Sequence, residues 1–248
     1  MDQKSLYELQ TGGGEMIRSN NEAALISRDR FITEEISSRI DAPRQMNVAE
    51  LSIGEGRLTQ SLLHSFPNIK LDCIDISTVR IDYVRNMLKS HSYADSSCIS
   101  FIECNFDTGF GAIKDTSYDF VIALDIMEHV LDVFGFVEHC HRILAKDGLL
   151  ILRVPNIAYI KHRIRLLFGR LPVTASWFGN PGELTAWQQQ YGWDGGHLHL
   201  FTVPVLYRLL GSYGFQIETC RDPGTRFEGL RNVLPNLLYS NPLIVARK

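Results

Sequence analysis

Apolar positions recur along this chain at two alternating periods. Leu25, Ile32, Ile36 and Ile40 stand at helical spacing and predict a helix over Ala23–Ile40. Val48–Ser52 predicts a strand, Arg57–Ser65 a helix, and Ile69–Ile74 a second strand with a helix after it to about Ser90. Ile99–Cys104 predicts a third strand. Tyr118–Leu124 (YDFVIAL) is almost continuously apolar, the pattern of a strand covered on both faces. Val133, Phe136, Val137, Cys140, Ile143 and Leu144 mark one face of the next helix, which Lys146-Asp147-Gly148 is expected to end. Leu149–Val154 is a fifth buried strand, closed by Pro155.

The rhythm breaks after Pro155. A long interruption over residues 157–196 precedes a helix at Val203–Tyr213, a strand at Phe215–Arg221 and a last strand at Leu243–Arg247. Alternating strands and helices imply an α/β fold, doubly wound around a mostly parallel sheet with right-handed crossovers. The last two strands suggest a terminal antiparallel hairpin at one sheet edge. Residues 1–22, with the TGGGE run, read as a flexible arm, and 23–248 as a single domain.

Composition changes this picture little. Apolar residues make up 45% and charged residues 21%, ordinary for a globular protein. A net charge of −3 gives no bulk attraction to nucleic acid or to anionic membranes. No apolar run is long enough to span a membrane, and MDQKSLYELQ lacks a secretion signal's apolar core. The five cysteines show no CxxC pairing, which suits reduced thiols in a cytoplasmic protein.

The candidate chemistry begins where the first strand meets its helix. Ser52-Ile53-Gly54-Glu55-Gly56 is a glycine turn that lets backbone N–H groups approach a ligand, and Asp75 ends the second strand, placed to accept from ribose hydroxyls. A dinucleotide fingerprint needs a third glycine where this chain has Thr59, which disfavours a nicotinamide dehydrogenase and favours a nucleoside cofactor without a pyrophosphate.

Read in order, AELSIGEG, CIDIS, YDFVIALDIMEHV and HRILAKDGLLILRVPN resemble the class I S-adenosylmethionine-dependent methyltransferases. The resemblance implies a Rossmann-like methyltransferase fold with a seven-stranded sheet, and S-adenosyl-L-methionine as cofactor. It implies that Gly54 and Gly56 line the methionine end, that Glu50 supports that loop, and that Asp75 holds the ribose. It further implies that Ile76 packs on the adenine, that Asn105 meets the adenine amino group beside Phe106, and that Leu124 lies under the cofactor. Ser52 stands where the family has its first glycine.

Methyl transfer needs a positioned nucleophile and, for a hydroxyl, a base. Glu128, His129 and His197 are the catalytic candidates. D-x-x-E-H, with a distant histidine before x₄-T, is similar to the E-x-x-E-H…H set of ubiquinone-pathway O-methyltransferases and small-RNA 2′-O-methyltransferases. In those families the set holds a divalent ion. Asp125, Glu128, His129 and His197 match it, with the shorter Asp125 in place of the first glutamate; metal-free relatives use a similar EHV run to contact substrate.

Residues 157–196 read as a lid over the acceptor. Lys161, Arg163, Arg165 and Arg170, with Trp177, Phe178, Trp187 and Tyr191, suit an anionic or an aromatic or acyl acceptor. O-methylation of a small or mid-sized acceptor of the sugar, quinol or natural-product type is the expected activity. The competing readings are an RNA 2′-O-methyltransferase, which the acidic net charge disfavours, and a non-catalytic adenosylmethionine-binding protein, which the intact glycines and Asp75 disfavour.

Overall fold

The computed structural model of the chain describes residues 22–40, 45–90, 98–110, 113–172, 174, 197–223 and 231–248. In chain order the elements are α1 (Glu22–Ser37), β1 (Met46–Leu51), α2 (Arg57–Ser65), β2 (Ile69–Asp75), α3 (Thr78–Ser90), β3 (Ile99–Glu103) and β4 (Tyr118–Leu124). A 3₁₀ turn (Met127–His129), α4 (Val133–Ile143), β5 (Leu144–Arg153), α5 (Ile160–Leu167), α6 (Val203–Ser212), β6 (Gln216–Arg221), α7 (Pro235–Leu238) and β7 (Leu243–Arg247) follow.

The strands form one seven-stranded sheet in the order β3-β2-β1-β4-β5-β7-β6. β1 to β5 are mutually parallel, and β7 runs antiparallel to both β5 and β6. This is the Rossmann-like methyltransferase architecture with its terminal antiparallel pair. Strand order reverses between β1 and β4, and the C-terminal ends of those strands are where such sheets bind ligands.

Both faces of the sheet are covered, so alternate residues of one strand enter different cores. Val121 and Ala123 join Phe136, Val137, Leu206 and Leu210 of α4 and α6. Phe120 and Ile122 join Ile32, Leu62, Ile81 and Val84 of α1 to α3. The continuous apolar run of β4 follows from this two-sided burial.

The end of α4 departs from expectation. The helix stops at Ile143, and Lys146-Asp147-Gly148 lies inside β5 rather than capping a helix. Tyr118 pairs with Leu144, but Phe120 pairs with Leu149, so the extra residues bulge out between the two pairings. Asp147 takes a left-handed φ of 63° there. A Cβ on Gly148 would lie 2.9 Å from the Ala145 carbonyl oxygen and 3.0 Å from that of Tyr118. The glycine therefore serves close backbone approach in a bulge.

The 157–196 span contains α5, none of whose residues is buried. Trp177, Phe178, Trp187 and Tyr191 lie outside the described residues, as does the arm expected over 1–22 apart from Glu22. Asn156 ties down the exit of β5: its buried amide nitrogen donates to the carbonyls of Asn236 and Tyr239, and its Oδ1 accepts from Ala158 N–H. Among the described residues no helix is long and apolar enough to cross a membrane.

Candidate active site

A crevice of about 490 Å³ opens at the tips of β1 and β4, lined by residues that include Arg28, Glu50, Ser52, Gly54, Leu124 and Asp125. The β1 turn has its shape because Ser52 and Gly54 both take left-handed backbone, at φ 64° and 54°. Ser52 N–H donates to the Ile74 carbonyl at 2.7 Å, which holds the turn against β2. Among the described residues a Cβ on Gly54 would meet nothing within 4 Å, which leaves the space over this glycine open to a ligand.

Gly56 has a different task. A Cβ there would come within 2.7 Å of Val84 Cγ1 and 2.8 Å of Met87 Cε, so this glycine lets the turn pack on α3. Thr59, where a dinucleotide fold would have its third glycine, is fully buried and donates its hydroxyl to Glu50 Oε2 at 2.7 Å. Burial pushes the Glu50 carboxyl up to about 8, against the Thr59 hydrogen bond and the charge of Arg28, which lower it.

Asp75 is buried at the end of β2. Its Oδ1 accepts from Ser77 N–H at 2.9 Å, and its Oδ2 has no hydrogen-bond partner among the described residues. Burial raises its carboxyl, while the N–H groups of Ser77, Gly54 and Ile53 and the charge of Arg80 pull the other way. An orphaned carboxylate oxygen beside an open glycine turn fits a nucleoside whose ribose hydroxyls can donate.

The remaining cofactor candidates take varied places. Leu124 is half-buried and lines the crevice; Ile76 is half-buried next to Asp75 and is not among the lining residues. Asn105 uses its Oδ1 to accept from Asp107 N–H at 2.9 Å, closing a local turn after β3. Asp107 in turn accepts from Leu131 N–H at 2.7 Å, which pins that turn to the loop after β4. The Phe106 ring enters an aromatic cluster with Phe110 and Phe136, at centroid distances of 5.2 and 5.8 Å.

Beyond β4 the chain passes Asp125, again in left-handed backbone at φ 53°, and winds into the 3₁₀ turn that carries Glu128 and His129. Leu198 N–H and His199 N–H both donate to the Glu128 carbonyl, at 2.9 and 3.2 Å, and so dock the 197–200 segment on this turn. That docking brings His197 Nε2 to 3.8 Å from Glu128 Oε1. The rings of His129 and His197 meet edge to face, with centroids 4.8 Å apart. Thr174 Oγ1 lies 2.7 Å from His197 Nδ1.

Glu128 is only 1% exposed, and neither carboxylate oxygen has a hydrogen-bond partner among the described residues. Burial, reinforced by the negative charge of Asp125, holds its carboxyl well above the ordinary range. One ligand atom from each of Glu128, His129 and His197 can be chosen so that all lie within 4.8 Å of one another. Asp125 is not in this group: it lines the crevice at the tips of β1 and β4 and pairs with Arg153. Sequence reasoning did not single out Arg28, Arg80 or Thr174. Nothing in local pattern marks them, because each reaches the site through tertiary packing.

Residues 49–150 match the protein family described as a methyltransferase domain. Among curated proteins the chain is 24% identical over 131 residues to the mitochondrial ubiquinone biosynthesis O-methyltransferase of Bos taurus, covering 50% of this chain and 32% of that protein. It is 25% identical over 111 residues to the malonyl-[acyl-carrier protein] O-methyltransferase of Acetivibrio thermocellus, covering 45% of this chain and 36% of that one. The matches thus span about a third of the length of these relatives. Among solved structures, a SAM-dependent methyltransferase of Aquifex aeolicus superposes with a TM-score of 0.58 at 10% identity, covering 100% of this chain and 98% of its own. Residues 49–150 thus match a methyltransferase domain, and the sheet order and the glycine turn agree with the fold of such domains.

Proposed function

We propose that this chain is an S-adenosylmethionine-dependent methyltransferase that acts on a hydroxyl oxygen of a small or mid-sized acceptor, of the sugar, quinol or natural-product type, and that Glu128, His129 and His197 receive that hydroxyl. The observation that carries this reading is Glu128: a carboxylate 1% exposed, with no hydrogen-bond partner on either oxygen among the described residues, facing two imidazoles. A buried polar group in that state costs free energy until something completes it. A hydroxyl that donates to Glu128 would do so.

In the reaction the acceptor oxygen attacks the methyl carbon in line with the departing sulfur. The carbon–sulfur bond breaks, its electron pair stays on sulfur, and the sulfonium becomes a neutral thioether. The hydroxyl proton passes to a base, and Glu128, made more basic by burial, or one of the two imidazoles is in position to take it. Gly54 and Asp75 hold the cofactor and Leu124 supports it. Residues 23–248 act as one domain, in which the 157–196 span roofs the acceptor; the contact of Thr174 with His197 supports that arrangement. Both curated relatives bear O-methyltransferase names, which favours oxygen as the methylated atom.

The grouping of three donor atoms within 4.8 Å favours a second reading, in which Glu128, His129 and His197 hold a divalent cation. One carboxylate and two imidazoles suit such an ion. Bound there, it would supply a Lewis acid that lowers the pKa of an acceptor hydroxyl.

The test is transfer of labelled methyl from S-adenosylmethionine to a panel of quinol, sugar and phenolic acceptors, with the product's methylated atom identified by mass spectrometry. O-methyl products are expected; exclusive N- or C-methylation overturns the reading. A chelator arm separates the two versions: activity lost and restored by a divalent ion supports the cation, and an insensitive enzyme retires it.

A further inference from the structure

We propose that a second pocket, under the N-terminal half of α5, binds an anionic group of the acceptor, a phosphate or a carboxylate. This inference rests on the O-methyltransferase reading above and narrows its substrate class to hydroxyl compounds that carry a negative charge.

The pocket holds about 300 Å³ and is lined by residues that include Tyr159, Lys161, His162, Arg165, Thr174 and Asn241. No carboxylate is among its described lining residues. The chain from 157 to 172 carries Lys161, Arg163, Arg165 and Arg170 and no aspartate or glutamate, so the local field is positive although the whole chain is at −3. Arg165 Nε donates to the Leu171 carbonyl at 2.9 Å, which fixes the guanidinium against the chain that leaves α5. A guanidinium held in place, an ammonium, and the hydroxyl and amide of Thr174 and Asn241 make a donor set matched to an oxyanion.

Thr174 joins this pocket to the reaction cluster. It lines the pocket and holds His197 Nδ1 at 2.7 Å. An anion seated against Thr174 is therefore one side chain from His197, and two from the orphaned Glu128 carboxylate. An acceptor that spans the two would place its charge under α5 and its hydroxyl at Glu128. Charge recognition outside the reacting centre would position the oxygen without weakening it as a nucleophile.

The experiment uses the full chain saturated with S-adenosylhomocysteine and titrated separately with inorganic phosphate and with malonate, followed by NMR of the histidine rings. One saturable site is expected, and the His197 ring signals should move with its occupancy; the tighter of the two anions identifies the charged group. In Lys161→Gln/Arg165→Gln the anion affinity should fall at least about tenfold, with S-adenosylhomocysteine affinity unchanged. If that double variant fails to fold, Lys161→Glu alone, at an exposed position, should show the same loss. Absence of saturable binding, binding indifferent to these substitutions, or binding that leaves His197 unmoved would each overturn the proposal. None of these readouts depends on turnover, so failure of the O-methylation reading, seen as exclusive N- or C-methylation, is a separate result.

Discussion

His197 approaches Glu128 because the backbone does so first. Two successive N–H groups, of Leu198 and His199, donate to the Glu128 carbonyl, and this places His197 Nε2 3.8 Å from Glu128 Oε1. The pair is thus set by main-chain bonds that substitution of the imidazole leaves in place. His197→Ala, and His129→Ala likewise, should lower turnover by about a hundredfold or more while S-adenosylhomocysteine affinity, measured by calorimetry, changes little. Full activity in both variants would remove the histidines from the chemistry.

The Asp75 Oδ2 has no hydrogen-bond partner among the described residues, which leaves it free to accept from a ribose hydroxyl. Asp75→Ala should weaken S-adenosylhomocysteine binding by about 2–3 kcal/mol through loss of charge-assisted hydrogen bonds. Titration calorimetry measures it, and unchanged affinity would contradict the assignment of Asp75 to the ribose.

Ser52 stands in left-handed backbone, which costs a residue with a Cβ about 1–2 kcal/mol. Glycine avoids that cost but gives back part of the gain through a more flexible unfolded chain. Ser52→Gly should therefore raise unfolding free energy by up to about 1 kcal/mol in urea titration. A clear loss of stability would show that the hydroxyl does more at this turn than the structure indicates.

Glu50 has the clearest pH signature. Its carboxyl rises from 4.5 to about 8 on burial, so across that window the folded chain binds more of this proton than the unfolded chain. Stability from this group is complete below 4.5 and is lost as pH climbs through about 8. Glu50→Gln should flatten the fall in thermal stability over that range. An identical pH slope in the variant would mean that Glu50 titrates normally.

The parts of the molecule governed by burial were the most legible in sequence. β4 and β7 lie where their apolar runs placed them, and α2 spans Arg57–Ser65 as its spacing required. The glycine turn and Asp75 were readable because each combines a special backbone demand or a terminal acid with a fixed place after a strand. Lys146-Asp147-Gly148 was misread because a basic residue and a glycine mark a helix end and a β-bulge equally well; only the pairing of Tyr118 with Leu144 decides. The role of Gly56 depends on Val84 and Met87, far along the chain, and that of Thr174 on His197. Such partners leave no periodic trace. Asp125 matched a ligand pattern by spacing, yet its pairing with Arg153 answers to a strand on which the pattern is silent.

The position of β7 bears on how the chain assembles. It lies between β5 and β6, although it follows both in sequence. When β6 leaves the ribosome its native neighbour does not yet exist, and β5 keeps a bare row of hydrogen-bonding groups until Leu243–Arg247 arrives to wedge in. Insertion of β7 thus completes hydrogen bonding on two sides at once, and a nascent chain stalled before that point would present β5 as a template for unwanted pairing.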